Sequence, residues 1–346
     1  MSDGANRARS RLSRLLPWAL AVVLVGSLAL LLERLDPRRV FQLLVSSNPG
    51  LLALAVLVNL SLNTYTRVSR RRVLLLAAAK SAPDLGLWVL AKLFFASYAA
   101  NNLLPARAGD LLFTVDLRRR GYRVAAVVAA QLSEKLVELA SLWLLIVPAL
   151  LLTKMAPAME SALSLFLAAG AVSIGLFIAF GHGGGHELPV RMSLEEAPRG
   201  TLRRLAVRTR RSVFVALDAI RRIATPPVAL RALAWSCGQD ASDILMVGLV
   251  ARAVDLHVGL GGWLLVYLAV NLASALPSTP GQIGLIEAGA VFALVGLGVE
   301  PNRAMAFALL YHLAHLIPIT LLGLPLLLRM RWQQKHPEGA RLSPSP

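Results

Sequence analysis

The chain of 346 residues has one cysteine, Cys237, few aromatic residues (6%) and only 19 acidic residues against 36 basic ones. A single cysteine excludes a disulfide within the chain. The sequence has no P-loop, dinucleotide-binding fingerprint, nucleophile elbow or zinc-ligand spacing, so no cofactor or metal is expected. It also has no soluble stretch long enough for a separate catalytic domain. We therefore expect a transport protein rather than an enzyme.

Apolar residues are abundant: they make up 56% of the chain, whose mean hydropathy is +0.63. Runs of roughly 20 apolar residues recur, the length at which an α-helix crosses about 30 Å of hydrocarbon. The strands of a β-barrel would be about half as long and would alternate polar with apolar residues. The sequence therefore predicts an all-α polytopic membrane protein. The predicted full spans are Leu15–Leu32, Gly50–Thr66, Val124–Leu152, Ala162–Phe180, Val228–Val250 and Ala304–Leu328.

Two further apolar segments, 87–117 and 262–298, are each interrupted by proline and glycine. The breaks are Leu104–Gly109 and Leu276–Gly281, each of the form Leu-Pro-x-x-x-Gly. Proline lacks the N–H that a helix needs and glycine is conformationally loose, so both residues end helices. We expect each segment to enter the membrane, turn at its break and leave on the side from which it came, as a re-entrant helical hairpin.

The charge distribution favours about six full spans plus two inverted re-entrant helical hairpins. This topology places both termini and most Lys and Arg residues in the cytoplasm, as the positive-inside rule expects. If both interrupted segments crossed fully, the arginines of 118–123 and 191–222 would lie outside. The predicted regions are a basic cytoplasmic N-terminus (1–14), a single membrane domain (15–330) with a cytoplasmic basic loop (181–227), and a cytoplasmic tail (331–346). The expected location is a bacterial-type cytoplasmic (inner) membrane.

In this topology the two hairpins enter the membrane from opposite faces. Both carry Leu-Pro-x-x-x-Gly at the tip, and both have asparagine just upstream. Inverted repeats with broken helices that meet near the midplane are a common transporter plan. The alternative is two unrelated proline-kinked helices.

Charged residues within hydrocarbon are costly, and they therefore mark candidate functional sites. The helix N-termini after the two breaks would present free N–H groups suited to a phosphate, which Arg107 could hold through its forked donors. Asp110, Glu134 and Glu287 could neutralise cations, bind an amine headgroup or take up protons. The candidate lipid-path residues are Asn102, Pro105, Arg107, Gly109, Asp110, Glu134, Lys135, Glu138, Asn271, Pro277, Thr279, Pro280, Gly281, Gly284, Glu287 and His312.

Two alternatives stay open for these residues. Glu134, Lys135 and Glu138 could form an internal ion-pair network that only stabilises packing. His312 lies three residues before His315 on one side of the last span, and both could serve packing or hydrogen bonding instead of a site. Further candidates within a span are Asp240 and Asp243.

At these motifs the sequence resembles the lysylphosphatidylglycerol synthase/flippase membrane-region family. The resemblance rests on three stretches, Asn101–Asp110, Glu134–Glu138 and Leu276–Glu287, and extends over roughly residues 15–330. The departures from the family pattern are Phe113 and Thr114 near an expected arginine, Lys135 for arginine, Glu138 for aspartate, Gln282 for glycine, and His312 for the usual arginine of the last span.

In relatives this membrane region is fused to a cytosolic domain that makes lysyl-phosphatidylglycerol, and the membrane region flips the product. The resemblance therefore implies a stand-alone lipid translocator for a phospholipid or a polyprenyl-linked lipid. The alternatives are an intramembrane transferase acting on a lipid phosphate and a non-catalytic membrane partner of a lipid-modifying complex. The expected partners are membrane lipids, recognised by an anionic headgroup or a lipid phosphate, and either a second copy of the chain or a lipid-synthesis enzyme. Nucleic acid is not expected.

Overall fold

The structure, a computed structural model, describes residues 35–79, 82–104, 108–153, 215–275 and 280–335, with isolated positions between 161 and 175. All regular structure in these ranges is helical, which confirms the all-α prediction. The helices are α1 Pro37–Val45, α2 Pro49–Ala78, α3 Leu87–Leu103, α4 Ala108–Arg119, α5 Val124–Leu152, α6 215–223, α7 Pro226–Ala253, α8 Leu260–Ser274, α9 Leu285–Gly296 and α10 Pro301–Lys335.

Three of the described helices are long and apolar enough to cross a membrane: α2, α5 and α10 as far as Met330. The span predicted at Val124–Leu152 matches α5 at both ends. In contrast, α2 and α10 extend beyond the predicted spans, and α2 continues through an arginine-rich stretch to Ala78. The spans predicted at Leu15–Leu32 and, for the most part, at Ala162–Phe180 lie outside the described residues.

Helix α7 covers the residues of the span predicted at Val228–Val250 but is not one of these three helices, so its crossing of the membrane stays a prediction. It is 28 residues long, and its middle carries two buried aspartates, Asp240 and Asp243. The preceding helix, α6, occupies part of the predicted basic loop. Its residues Ala219 and Ile223 are fully buried, so this end of the loop is packed against the helices instead of being solvated.

Local capping residues explain where the first helices begin. Asp36 precedes α1 and accepts a hydrogen bond from the N–H of Arg38 at 2.9 Å. Asn48 precedes α2 in the same way and accepts from the N–H groups of Gly50 and Leu51. In both helices proline occupies the first position, where its missing N–H costs nothing.

A π-turn at Asn59–Asn63 interrupts the hydrogen-bond pattern of α2 and directs Asn59 towards α10. There Pro318 has no N–H to donate to the carbonyl group of Ala314, four residues earlier. The side-chain Nδ2 of Asn59 donates to that carbonyl oxygen at 3.2 Å, and Asn59 is 1% exposed. A buried asparagine on one helix thus satisfies the acceptor that a proline leaves free on another.

Helices α3 and α4 pack against each other as a first hairpin, and α8 and α9 as a second hairpin. The first hairpin opens at the end of the bundle where α2 ends and α5 begins, since Tyr122 donates to the carbonyl of Pro83 at 2.6 Å. The second opens at the other end, where Asn48 bonds to Ala253 and Arg303 bonds to the carbonyl of Asp255. The hairpins therefore enter the bundle from opposite ends.

Small residues allow the helices of this bundle to approach closely. A Cβ atom on Gly323 of α10 would collide with the backbone of Phe95 on α3, and α3 packs extensively on α10. Gly289 of α9 lies similarly close to Ala269 of α8. Such small-residue contacts are typical of helices that associate in membranes, where apolar side chains gain little from leaving lipid.

Candidate functional site

The tip of the first hairpin is held by two adjacent asparagines with different partners. Asn101 Oδ1 accepts a hydrogen bond from the N–H of Gly109 at 2.7 Å, so it caps the start of α4 from the end of α3. Its Nδ2 donates to Asp110 Oδ1 at 3.3 Å. Asn102 instead reaches α10, where its Nδ2 donates to Thr320 Oγ1 at 2.8 Å. One asparagine therefore closes the hairpin and the other attaches it to the bundle.

Gly109 is required at this tip by the close packing of α3 and α4. A Cβ atom there would overlap the carbonyl oxygen of Ser97 and would come within 2.7 Å of Asn101 Oδ1. The glycine of the Leu-Pro-x-x-x-Gly motif thus serves helix contact at the first tip.

At the second tip the glycines serve the turn itself. Gly281 has φ +67° and Gly284 has φ +90°, in the left-handed region that favours glycine, and Gln282 between them has φ +59°. Glu287, on the first turn of α9, accepts a hydrogen bond from the N–H of Gly284 at 2.7 Å. The chain therefore reverses over a few residues, and a buried carboxylate secures the start of α9.

His312 of α10 links both parts of this second tip. Its Nδ1 lies 2.6 Å from Glu287 Oε1, and its Nε2 lies 2.9 Å from the carbonyl oxygen of Gly281. Both side chains are buried: His312 is 5% exposed and Glu287 is 8% exposed. His312 therefore hydrogen-bonds within the second tip, as the hydrogen-bonding alternative expects, and its role in a lipid path stays a prediction.

The two tips lie against each other inside the bundle. Helix α3 contacts the short turn Pro280–Gln282. The carbonyl oxygen of Asn102, at the end of α3, lies next to Gly281, so that a Cβ atom added there would be 3.5 Å from it. The two breaks that the sequence singled out are thus adjacent in space, although about 170 residues separate them in the chain.

A buried ion-pair network lies between α2, α5 and α7. Arg70 donates through Nη2 to Glu134 at 3.0 Å and to Glu138, and through Nη1 to Ser236 at 2.8 Å. Arg71 binds both oxygens of Glu134, at 3.0 and 3.2 Å. Because Arg70 is 1% exposed and Glu134 is 4% exposed, these charges are largely removed from solvent.

Arg67 continues this network towards α3 and α7. Its Nη1 donates to Tyr98 Oη at 2.9 Å and its Nη2 to Asp243 Oδ2 at 3.2 Å. Asp243 also accepts from Asn63, and Asp240, one turn earlier, accepts from the hydroxyl of Tyr267 at 2.7 Å. The network thus connects α2, α3, α5, α7 and α8 through charged or polar side chains.

Arg72, by contrast, is an arginine of α2 that lies outside this network. It donates to both oxygens of Asp84, at 3.0 and 2.5 Å, and its side chain is 36% exposed. These hydrogen bonds hold the pKa of Asp84 below its ordinary value. Arg72 therefore sits at the surface end of α2, whereas Arg67, Arg70 and Arg71 face inwards.

The predicted site residues fall into three groups. Asn102, Gly109 and Asp110 form the first tip, and Glu134, Lys135 and Glu138 belong to the ion-pair network, where Lys135 Nζ lies 2.7 Å from Glu138. Pro280, Gly281, Gly284, Glu287 and His312 form the second tip. Asn271, near the end of α8, donates to the carbonyl of Tyr267 in its own helix at 2.9 Å. The residues outside the described ranges are Pro105, Arg107, Pro277 and Thr279.

Sequence reasoning did not single out Arg67, Arg70 and Arg71, which follow the end of the span predicted at Gly50–Thr66. Two signals identify them in retrospect. Their spacing of three and four residues puts them on one helix face, and the carboxylates predicted inside the spans need cationic partners. The apolar run ends near Thr66, but the helix continues because these arginines find carboxylates within the bundle.

Comparison with known proteins matches most of the helical region to one family. A family model described as the lysylphosphatidylglycerol synthase TM region matches residues 18–323, most of the chain. No curated protein shows significant similarity to it. Together with the apolar helices, the match indicates a multi-pass membrane protein with a function related to membrane lipids.

Proposed function

We propose, starting from the fact that the chain belongs to the lysylphosphatidylglycerol synthase transmembrane-region family, that it is a lipid translocator of the cytoplasmic membrane. The headgroup of a phospholipid or polyprenyl-linked lipid passes between the two hairpin tips while the acyl chains stay in the bilayer. The observation that carries the proposal is the contact between the two tips, which enter the bundle from opposite ends.

The lengths of the hairpin helices support re-entry. At 1.5 Å per residue, the 17 residues of α3 extend about 25 Å and the 12 residues of α9 about 18 Å, less than the roughly 30 Å of a hydrocarbon core. Each hairpin also begins and ends at the same end of the bundle. With the N-terminus in the cytoplasm, the first hairpin then opens to the cytoplasm and the second to the opposite side, with both termini inside.

Irregular backbone at membrane depth is tolerated only where it is buried in protein or lines a watery cavity. The interior of the bundle beside α10 contains buried polar groups of the kind that line such a cavity. Asn59 Oδ1, Gln239 Oε1 and His315 Nδ1 are buried, and the described residues provide no hydrogen-bond partner for them. Buried polar atoms of this kind are commonly satisfied by water. A polar interior is what a headgroup needs on its path.

The energy balance shows why a few polar groups at the tips suffice. An ionised group at the bilayer centre costs about 2.5–3.5 kcal/mol on insertion scales. A hydrogen bond to a charged group contributes about 1.5–3 kcal/mol. One or two contacts with groups such as Asp110 therefore offset the cost of moving a charged headgroup. Arg107 enters this proposal by its sequence position alone.

Leaflet exchange in liposomes tests the proposal. Purified protein is reconstituted with fluorescent phospholipids, and a membrane-impermeant reductant reports the label that reaches the outer leaflet. Wild type is expected to exchange lipid, and Arg107→Ala and Asp110→Asn are expected to slow exchange at least about tenfold, the effect of about 1.4 kcal/mol in a barrier. Asp84→Asn is the matched control, because it removes an aspartate next to an arginine outside the tips.

The negative outcomes are informative as well. If no lipid class exchanges, with or without a proton gradient, the translocator proposal is wrong. Conversion of a labelled lipid into a new product by the same preparation would favour the intramembrane transferase. Equal slowing by Asp84→Asn and Asp110→Asn would remove the tips from the path.

A further inference from the structure

The contacts of His312 show how many protons His312 and Glu287 hold together. A carbonyl oxygen can only accept, so the 2.9 Å contact between the carbonyl of Gly281 and Nε2 requires a proton on Nε2. The 2.6 Å contact between Nδ1 and Glu287 Oε1 requires a second proton, on one atom or the other. A neutral histidine beside an ionised glutamate has only one proton for these two contacts. The two contacts therefore require one proton more than a neutral histidine and an ionised glutamate hold.

We propose that Glu287 and His312 bind one proton between them and that this proton fastens the tip of the second hairpin to α10. Without it, one of the two contacts becomes a pair of acceptors facing each other at less than 3 Å. Since the other carboxylate oxygen of Glu287 is already occupied by the N–H of Gly284, the carboxylate cannot turn away without uncapping α9. The proton thus stabilises three contacts of the tip together: the Gly281 carbonyl with Nε2, Glu287 with Nδ1, and Glu287 with the N–H of Gly284.

The fastened segment is the one that touches the first hairpin. Gly281, whose carbonyl accepts the hydrogen bond from Nε2–H, lies against the carbonyl of Asn102. Release of the Gly281 carbonyl therefore frees the turn at the contact between the two tips. The consequence of this release for lipid movement rests on the proposed function. The latch, meaning the proton-dependent attachment of the second tip to α10, does not.

The other charged groups around α10 lie beyond this pair. One turn along α10, His315 lies near the Arg67–Asp243 ion pair of α2 and α7, and Tyr311 lies near the same ion pair. From α3 the neutral Asn102 meets Thr320. At the start of α10, near the start of α1, the charged groups are Asp36, Arg39, Asp255, His257, Glu300 and Arg303. Glu287 is thus the carboxylate in direct contact with His312.

The sign of the pH dependence follows from the proton count. The tip is fastened at low pH and is released when the pair loses its proton at high pH. Two substitutions of the same pair act in opposite directions. Glu287→Gln replaces the carboxylate with an amide that always donates to Nδ1 and still accepts from Gly284, so it keeps the tip fastened. His312→Ala removes both contacts and releases the tip.

Spin-label distances between the tips test the latch in the full-length protein. In a Cys237→Ser background, nitroxides are attached at Leu103→Cys and Ile283→Cys, two side chains that are 50% and 66% exposed at the two tips. Distances are measured between about pH 5 and about pH 9, on either side of the range in which histidine ordinarily titrates. The expected result is a narrow distribution at low pH that broadens at high pH in the wild type.

In the same experiment Glu287→Gln is expected to stay narrow at both pH values and His312→Ala to stay broad at both. A wild-type distribution that does not change with pH overturns the proposal. So does broadening in Glu287→Gln like that in His312→Ala, because a purely packing role would loosen both. If His312→Ala does not fold, Glu287→Ala, which removes the same contact to Nδ1, replaces it.

Lipid exchange measured on the same preparations separates the two proposals. A pH-dependent tip without exchange contradicts the translocator and leaves the latch. Exchange with a tip that is indifferent to pH leaves the translocator and contradicts the latch.

Discussion

Loss of the buried Glu134 carboxylate should strongly destabilise this protein. Glu134 is 4% exposed and accepts hydrogen bonds from Arg70 and Arg71, at 3.0 Å from Arg70 and at 3.0 and 3.2 Å from Arg71. Glu134→Gln preserves the shape but leaves the buried Arg70 with Glu138 as its remaining ion-pair partner and removes the carboxylate that Arg71 binds. Removing one partner of a buried ion pair costs about 3–5 kcal/mol. We expect a loss of free energy of unfolding in that range.

Lys135→Met is the matched control, since it changes the neighbouring residue of the same network. Lys135 Nζ lies 2.7 Å from Glu138, but its side chain is 58% exposed. Exposed ion pairs contribute about 0.2–1 kcal/mol. Unfolding in mixed micelles with increasing SDS, followed by tryptophan fluorescence, measures both variants against wild type.

A second substitution sharpens this test. Adding Arg71→Met to Glu134→Gln removes the guanidinium group that has lost its carboxylate and is expected to recover part of the lost stability. The reasoning is refuted if Glu134→Gln costs no more than Lys135→Met. It is also refuted if the double variant is less stable than the sum of the two single losses.

Three further predictions concern the backbone. Asn59→Leu leaves a proline-freed carbonyl without its donor and should lower stability by about 1–3 kcal/mol; in a Pro318→Ala background, where the helix bond can form, thermal unfolding should show a smaller loss. Gly109→Ala should separate α3 from α4 and lower the unfolding temperature, whereas Gly86→Ala, which meets nothing within 4 Å, should not. Gly281→Ala should cost about 1–2 kcal/mol because of its left-handed φ, measured by the same SDS titration.

The sequence carried enough information to find the helices and the two breaks. Proline and glycine interrupt apolar runs at Leu104–Gly109 and Leu276–Gly281, and the helices of both hairpins end or begin next to these breaks. Helix α5 was predicted at both ends because apolar periodicity and length agree there. That the breaks re-enter a membrane and form inverted repeats stays a prediction.

Contacts between distant segments could not be read in the same way. The composition of α2 indicated a span that ends near Thr66, because arginine is normally excluded from a span. Only the packing of α5 against α2 shows that Glu134 makes these arginines tolerable. Likewise, a lone His312 gives no local signal of its partner Glu287, since 24 residues lie between them and the pairing depends on how α9 folds back on α10.

The shared use of Glu134 by two arginines restricts how this sequence can diverge. A lineage that loses the carboxylate alone passes through an unstable intermediate in which Arg71 has lost its carboxylate and Arg70 keeps only Glu138, whereas one that loses a single arginine keeps the other bound to Glu134. Among relatives, Glu134 should therefore be lost only together with Arg71 or after it. Lys135, at the exposed edge of the network, is expected to vary with little cost.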